Sequence, residues 1–217
     1  MMSETDTRPN PNAVRRHSWL VHILRTYLTV MLPILLVLVS VRVVMSHTFL
    51  EFEYNRADFP PDIYGFTRED RLRYAPFAVD YLLNDAGIEY LAQLQFPNGT
   101  PLYNARELRH MEDVKVVTRA ANFVLLIGGT FYLVGMAVLL WKPRTRYHLT
   151  SALFSGGLLT LGLIAAVIVG AVFAWDAFFT AFHELFFADG TWIFLYSDTL
   201  IRLFPERFWF DAALTIG

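Results

Sequence analysis

The chain has 217 residues, of which 55% are hydrophobic and only 18% charged; its net charge is −2 and it has no cysteine. A soluble domain averages about 45–50% apolar and about 25% charged residues. The excess here lies in long uninterrupted runs, so the chain is read as an integral membrane protein. No basic patch speaks for nucleic acid, and without cysteine there is no disulfide, thiol nucleophile or thiolate metal site.

Residues 1–23 form a basic tail with Arg8, Arg15 and Arg16. Its polar part, to His17, has little to bury and is expected to be disordered. A basic segment ahead of an apolar one also fits a signal peptide. However, the run 24–46 is long enough to span and no small-residue cleavage pattern follows, so it is read as an uncleaved first span. Pro33 should kink it or find a compensating neighbour. Arg42, near its far end, should snorkel to the interface.

Residues 47–119 are a large hydrophilic segment, expected to form a helical cap. Tyr64-Gly65-Phe66 reads as a turn. Thr67, with Asp70 three residues on, resembles a capping box that starts a helix running to about Leu83. Asn84-Asp85-Ala86-Gly87 stops it. A short segment, 88–95, ends at the turn signal Phe96-Pro97-Asn98-Gly99. Asn104 then precedes a helix that should run straight into the second span. On it Glu107, His110, Val114 and Val117 share a face, which puts Glu107 within reach of His110.

The second and third spans are placed at 121–141 and 149–175. Between them lies the basic loop Lys142-Pro143-Arg144-Thr145-Arg146-Tyr147-His148. Short basic loops stay in the cytoplasm; the N-terminus then lies on that side, and 47–119 and 176–205 lie outside. Gly128, Gly129, Gly135, Gly156, Gly157, Gly162 and Gly170 fall in the second and third spans and predict close helix packing. After Pro205 the chain turns apolar again at Phe208-Trp209-Phe210. Residues 206–217 are too few to cross and are read as a partial fourth span, with Pro205 near its first turn. The fold class is therefore all-α: a polytopic membrane helix bundle with three clear spans, a partial fourth and an extracytoplasmic helical cap.

Two polar clusters sit at the outer ends of spans. One surrounds His110, the other His183, and their topological side is the same. Two histidines in one notch beside lipid can act as general acid and base, as a nucleophile with its base, or as metal ligands completed by Glu107, Glu184 or Asp113. The spacing Glu107-x-x-His110 occurs in carboxylate-bridged iron sites, but the second copy is missing and there is no His-Glu-x-x-His motif. No metal is therefore expected. Ser155 has no base nearby, which leaves a serine hydrolase unsupported. Asp198 and Arg202, at i and i+4, are expected simply to pair. Phe186, Phe187, Trp192 and Phe204 read as an aromatic belt against lipid.

A resemblance rests on these residues: Tyr64-Gly65-Phe66, Glu107-x-x-His110-Met111-x-Asp113-Val114, Phe182-His183-x-x-Phe186-Phe187, Trp192, and Asp198-x-Leu200-Ile201-x-Leu203-Phe204-Pro205-Glu206. In order and placement they resemble the bacterial lipoprotein intramolecular transacylase family. The resemblance implies a small four-span protein of the bacterial cytoplasmic membrane that needs no cofactor. It would move the sn-2 acyl chain of a diacylglyceryl-modified lipoprotein to the amine of its N-terminal Cys at the outer leaflet, giving the lyso-form. It implies that His110 and His183 match the family's two active-site histidines. The attacking amine must lose a proton, which an imidazole can accept. The other imidazole, Arg202 or Tyr64 are candidates to stabilise the oxyanion. Glu107 or Asp113 would orient a histidine, and Asp198 would support the substrate. Besides the lipoprotein the expected partner is membrane lipid. Two alternatives stay open: an acyl hydrolase or acyltransferase acting on free phospholipid, and a non-enzymatic scaffold or metal-binding membrane protein.

Overall fold

Ten residues at the N-terminus aside, the computed structural model describes the chain from residue 11 to 217 except Asp189, with side chains from residue 19 onward. The expected tail thus lies partly outside the described residues. Its remainder is already helical: α1 spans Pro11–Val44, opening on a proline whose fixed φ suits a first turn. The other helices are α2 (His47–Tyr54), α3 (Arg68–Leu83), α4 (Glu89–Ala92), α5 (Ala105–Trp141), α6 (Arg146–Phe173), α7 (Trp175–Phe186), α8 (Thr199–Leu203) and α9 (Glu206–Ile216). Trp19–Val44, Ala105–Trp141 and Pro143–Phe173 are long and apolar enough to cross a membrane. The 37 residues of α5 give a rod of roughly 55 Å, nearly twice a hydrocarbon core of about 30 Å. Its charged first turns therefore have room to project beyond the lipid. The stretch read as a partial fourth span is α9, 11 residues long, with Phe208 and Ala212 buried.

The chain divides into two compact units. The first comprises residues 1–35 and 127–162. Here the expected glycine packing appears at three positions. A Cβ on Gly135 would meet Leu24 Cδ1 at 2.7 Å, one on Gly128 would meet Met31 Cε at 2.7 Å, and one on Gly156 would meet the Thr29 carbonyl at 3.0 Å. Such close approach lets backbones near one another where no hydrophobic drive separates helix from lipid. Tyr27 donates to the Gly128 carbonyl at 2.8 Å. Gly157 and Gly162 face open space, so the glycine pattern marks the interface only in part.

The second unit comprises residues 36–126 and 163–217. Its core joins Leu50, Tyr54, Ala75, Tyr81, Leu91, Leu102, Leu203 and Phe208. The α3 start matches the expectation closely: the Thr67 side chain accepts from Asp70 N, and Asp70 reaches back to Thr67 N. Thr67→Ala is expected to cost about 1 kcal/mol, read as a lower midpoint of thermal unfolding. α2, not foreseen, starts on Ser46, whose side chain accepts from Phe49 N; His47 Nε2 meets Asp80 Oδ1 of α3 at 2.7 Å. Arg42 is half-buried, and its Nη1 is buried without a hydrogen-bond partner.

α8 is strapped from several sides. Tyr54 donates to the Leu203 carbonyl at 2.8 Å and Arg71 Nε to the Arg202 carbonyl at 2.9 Å. α9 is held to α2 by charge. Glu53 has no exposed surface and Asp211 only 6%. Arg56 Nη1 stands 3.5 Å from Glu53 Oε2 and 3.1 Å from Asp211 Oδ2, while Arg207 also grips Asp211. Burial, reinforced by the neighbouring Asp211 carboxylate, pushes the Glu53 carboxyl up to about 7. A carboxyl raised on folding adds stability that is full below its unfolded value and lost as pH rises through the folded one. The midpoint of thermal unfolding should therefore decline as pH climbs from the unfolded carboxyl range through about 7, and Glu53→Gln should flatten that decline.

Candidate active site

Trp175, Phe178, Phe179, Phe182, His183 and Phe186 follow i, i+3, i+4, i+7, i+8 and i+11, which places one aromatic stripe along α7. The chain turns sharply into this helix at Ala174, where φ is −148° and ψ 47°. Gly170 makes the turn possible: a Cβ there would come within 3.0 Å of Phe178 Cδ2. The third span thus ends at Phe173, and the polar cluster after it stands on a helix of its own.

His183 lies half-buried on the stripe. Its ring centroid is 4.1 Å from that of Phe179 and 4.8 Å from that of Trp192. Its Nδ1 is 2.8 Å from the Phe179 carbonyl. A carbonyl only accepts, so Nδ1 carries the proton and Nε2 is left with a lone pair. Burial lowers the His183 pKa, an effect the bond to the Phe179 carbonyl partly offsets, and the neutral imidazole is favoured. His110 comes from the first turns of α5. Its ring lies 5.0 Å from Phe187 and 5.2 Å from Phe194, and its Nδ1 is buried without a partner. Phe187 also lies 5.8 Å from His183, so one phenyl ring touches both imidazoles.

Both histidines line one cavity of about 470 Å³. Its walls are mostly apolar: Val44 and Met45 from the end of α1, Val79 and Leu82 from α3, Met111 and Val114 from α5, and Ile193, Phe194 and Trp192 from the segment before α8. A concave apolar space with a few converging polar groups is the usual form of a small-molecule binding site.

The other residues singled out in the sequence are placed differently. Glu107 does not reach for His110. It is almost fully buried, and its Oε2 accepts from Asn104 N while its Oε1 accepts from Leu200 N, each at 2.7 Å. Asn104 Oδ1 in turn accepts from Glu107 N. This is a reciprocal capping box that also pins α8 to the start of α5. The signal, Asn104-x-x-Glu107, was present in the sequence. Asp113 is half-buried and outside the cavity lining. Asp198 and Arg202 do not pair: Asp198 accepts from Asn104 Nδ2 and Leu195 N, while Arg202 Nε meets Asp62 at 3.0 Å. The Arg202 guanidinium lies 3.6 Å over the Phe66 ring and donates to the Tyr64 carbonyl. Neither Arg202 nor Tyr64 borders the cavity. The expected belt also divides. Phe186 is exposed, Phe204 is buried in the core, and Phe187 and Trp192 turn inward onto the histidines. Among the described residues no group of three or more His, Asp or Glu converges as a metal site would need.

Residues 26–209 match the family described as lipoprotein intramolecular transacylase Lit. An uncharacterised protein of Aquifex aeolicus (strain VF5) is 32% identical over 200 residues, covering 88% of this chain and 84% of its own. The in meso structure of the membrane-integral lipoprotein intramolecular transacylase Lit from Bacillus cereus superposes with a TM-score of 0.76 at 22% identity, over 92% of this chain and 88% of that one. A histidine-to-arginine variant of that protein gives 0.71 at 20% identity, over 94% and 87%.

Proposed function

This chain belongs to the lipoprotein intramolecular transacylase family, a membrane acyltransferase acting on lipoproteins, and on that premise we propose how its cavity performs the transfer. The substrate is a diacylglyceryl-cysteine lipoprotein. The cysteine amine attacks the sn-2 ester carbon, His183 Nε2 takes the amine proton, and His110 assists departure of the glycerol oxygen. The products are an N-acyl S-monoacylglyceryl cysteine and no free fatty acid. One observation carries the reading: His183 is fixed by the Phe179 carbonyl so that Nε2 remains an acceptor, in the cavity that His110 also lines. Nucleophile and ester belong to one molecule, so the apolar walls contribute chiefly by alignment, which can remove several kcal/mol of barrier.

The basic loop 142–148 favours a cytoplasmic N-terminus, which would set the cavity toward the outer leaflet. Purified protein given a synthetic diacylglyceryl lipopeptide should yield a product of unchanged total mass with the acyl group on nitrogen. Given phospholipid alone it should release no fatty acid. Fatty acid release from phospholipid, with the lipopeptide untouched, would favour the lipid-hydrolase reading instead.

A further inference from the structure

An ester carbonyl under attack needs a donor where negative charge develops on its oxygen. Of the candidates the sequence suggested, Arg202 is engaged with Asp62 and the Tyr64 main-chain carbonyl, and neither Arg202 nor the Tyr64 side chain borders the cavity. The His183 Nδ1–H is committed to the Phe179 carbonyl. Tyr196 borders the cavity but is 75% exposed, where water screens its hydroxyl.

Trp192 is placed otherwise. It borders the same cavity, its ring lies against His183 at 4.8 Å and 33°, and its Nε1 is buried with no hydrogen-bond partner. Indole N–H donates and never accepts. Native proteins seldom leave such a donor buried and unpaired, because its lost hydration goes uncompensated. No acceptor of the chain competes for it, and the side chains packed around it must part for a substrate oxygen to reach it.

We propose that Trp192 Nε1–H is the donor that polarises the scissile ester carbonyl and holds the oxyanion. This rests on the transacylase reading of the cavity. The amine nitrogen bonds to the carbonyl carbon, and the C=O π pair moves onto oxygen, which accepts a hydrogen bond from the indole; the indole keeps its proton. The amine proton passes to His183 Nε2. On collapse the pair returns to the carbonyl, the bond to the glycerol oxygen breaks, and that oxygen leaves with the proton. An ester and an amine become an amide and an alcohol, with no net change in protons.

The test replaces Trp192 in the full chain with benzothienylalanine, which keeps the ring shape but carries sulfur in place of N–H. Trp192→Phe, wild type and His183→Ala run alongside, all with the diacylglyceryl lipopeptide. The expected result is a kcat about 100-fold lower, a KM changed by less than about threefold, and an unmoved pH limb for the base. Wild-type kcat in the benzothienyl variant, with wild type active and His183→Ala impaired, overturns the donor assignment and leaves the transacylase reading standing. Failure of wild type itself, or full activity of His183→Ala, overturns that reading and the donor assignment with it. A second measurement does not depend on the variant folding well. In wild-type protein with ¹⁵N-labelled indoles, an alkylphosphonate analogue of the tetrahedral intermediate should move the Trp192 N–H proton downfield. An unmoved resonance with the analogue bound overturns the proposal.

Discussion

His183→Ala is expected to lower acyl transfer by about 10³-fold, within the range typical of a positioned acid or base, while leaving thermal stability near that of wild type because the ring is only half-buried. The pH dependence gives the sharper signature. The substrate amine titrates at about 7.7–8.0, so the rate should fall with unit slope below that. Because burial lowers the His183 pKa beneath 6.5, the neutral base persists through this first limb. The slope should steepen to two only at pH below the ordinary histidine range. Steepening at or above it would mean that the titrating group is not this imidazole. In His183→Ala the second limb should vanish and the amine limb remain.

Glu107→Ala should produce the largest loss of stability among single changes near the cavity. It strips acceptors from the part-buried N–H of Asn104 and the buried N–H of Leu200. Each orphaned donor costs about 1–3 kcal/mol, so a total of about 3 kcal/mol and a fall of about 10 °C in Tm are expected. Glu107→Gln should fall between, since one carbonyl oxygen can still accept while the amide N–H₂ faces a second donor. The measurement also separates two roles. A carboxylate that oriented His110 would, on conversion to Gln, shift the pH–rate profile with little change in Tm. The clamp predicts the reverse: a lower Tm and an unmoved profile.

The parts of this fold that rest on local physics were legible from the chain alone. Three apolar runs of spanning length need no partner to be recognised. The Thr67–Asp70 capping box and the turn at Phe96–Gly99, where Gly99 takes φ +82°, are likewise decided within a few residues. That His110 and His183 meet in one cavity followed from their order relative to the spans. Apart from the local Asn104-x-x-Glu107 cap, the partners that decide these side chains are distant in sequence: Arg202 with Asp62 and Glu107 with Leu200 lie 140 and 93 residues apart. No periodicity encodes such pairs. α2 was missed because its eight residues carry too little pattern. The bend at Ala174 was missed because aromatic residues continue the apolar run without a break, and only the close contact between Gly170 and Phe178 discloses it.

On the proposed mechanism, His110 and His183 in one cavity carry out the transfer. Its most direct test is mass spectrometry of the N-terminal peptide of a diacylglyceryl lipoprotein co-expressed with wild type, His110→Ala or His183→Ala at matched protein levels. Wild type should convert it to the N-acyl S-monoacylglyceryl form, at unchanged total mass, and both variants should lose that conversion. Undiminished conversion by both variants would contradict the mechanism.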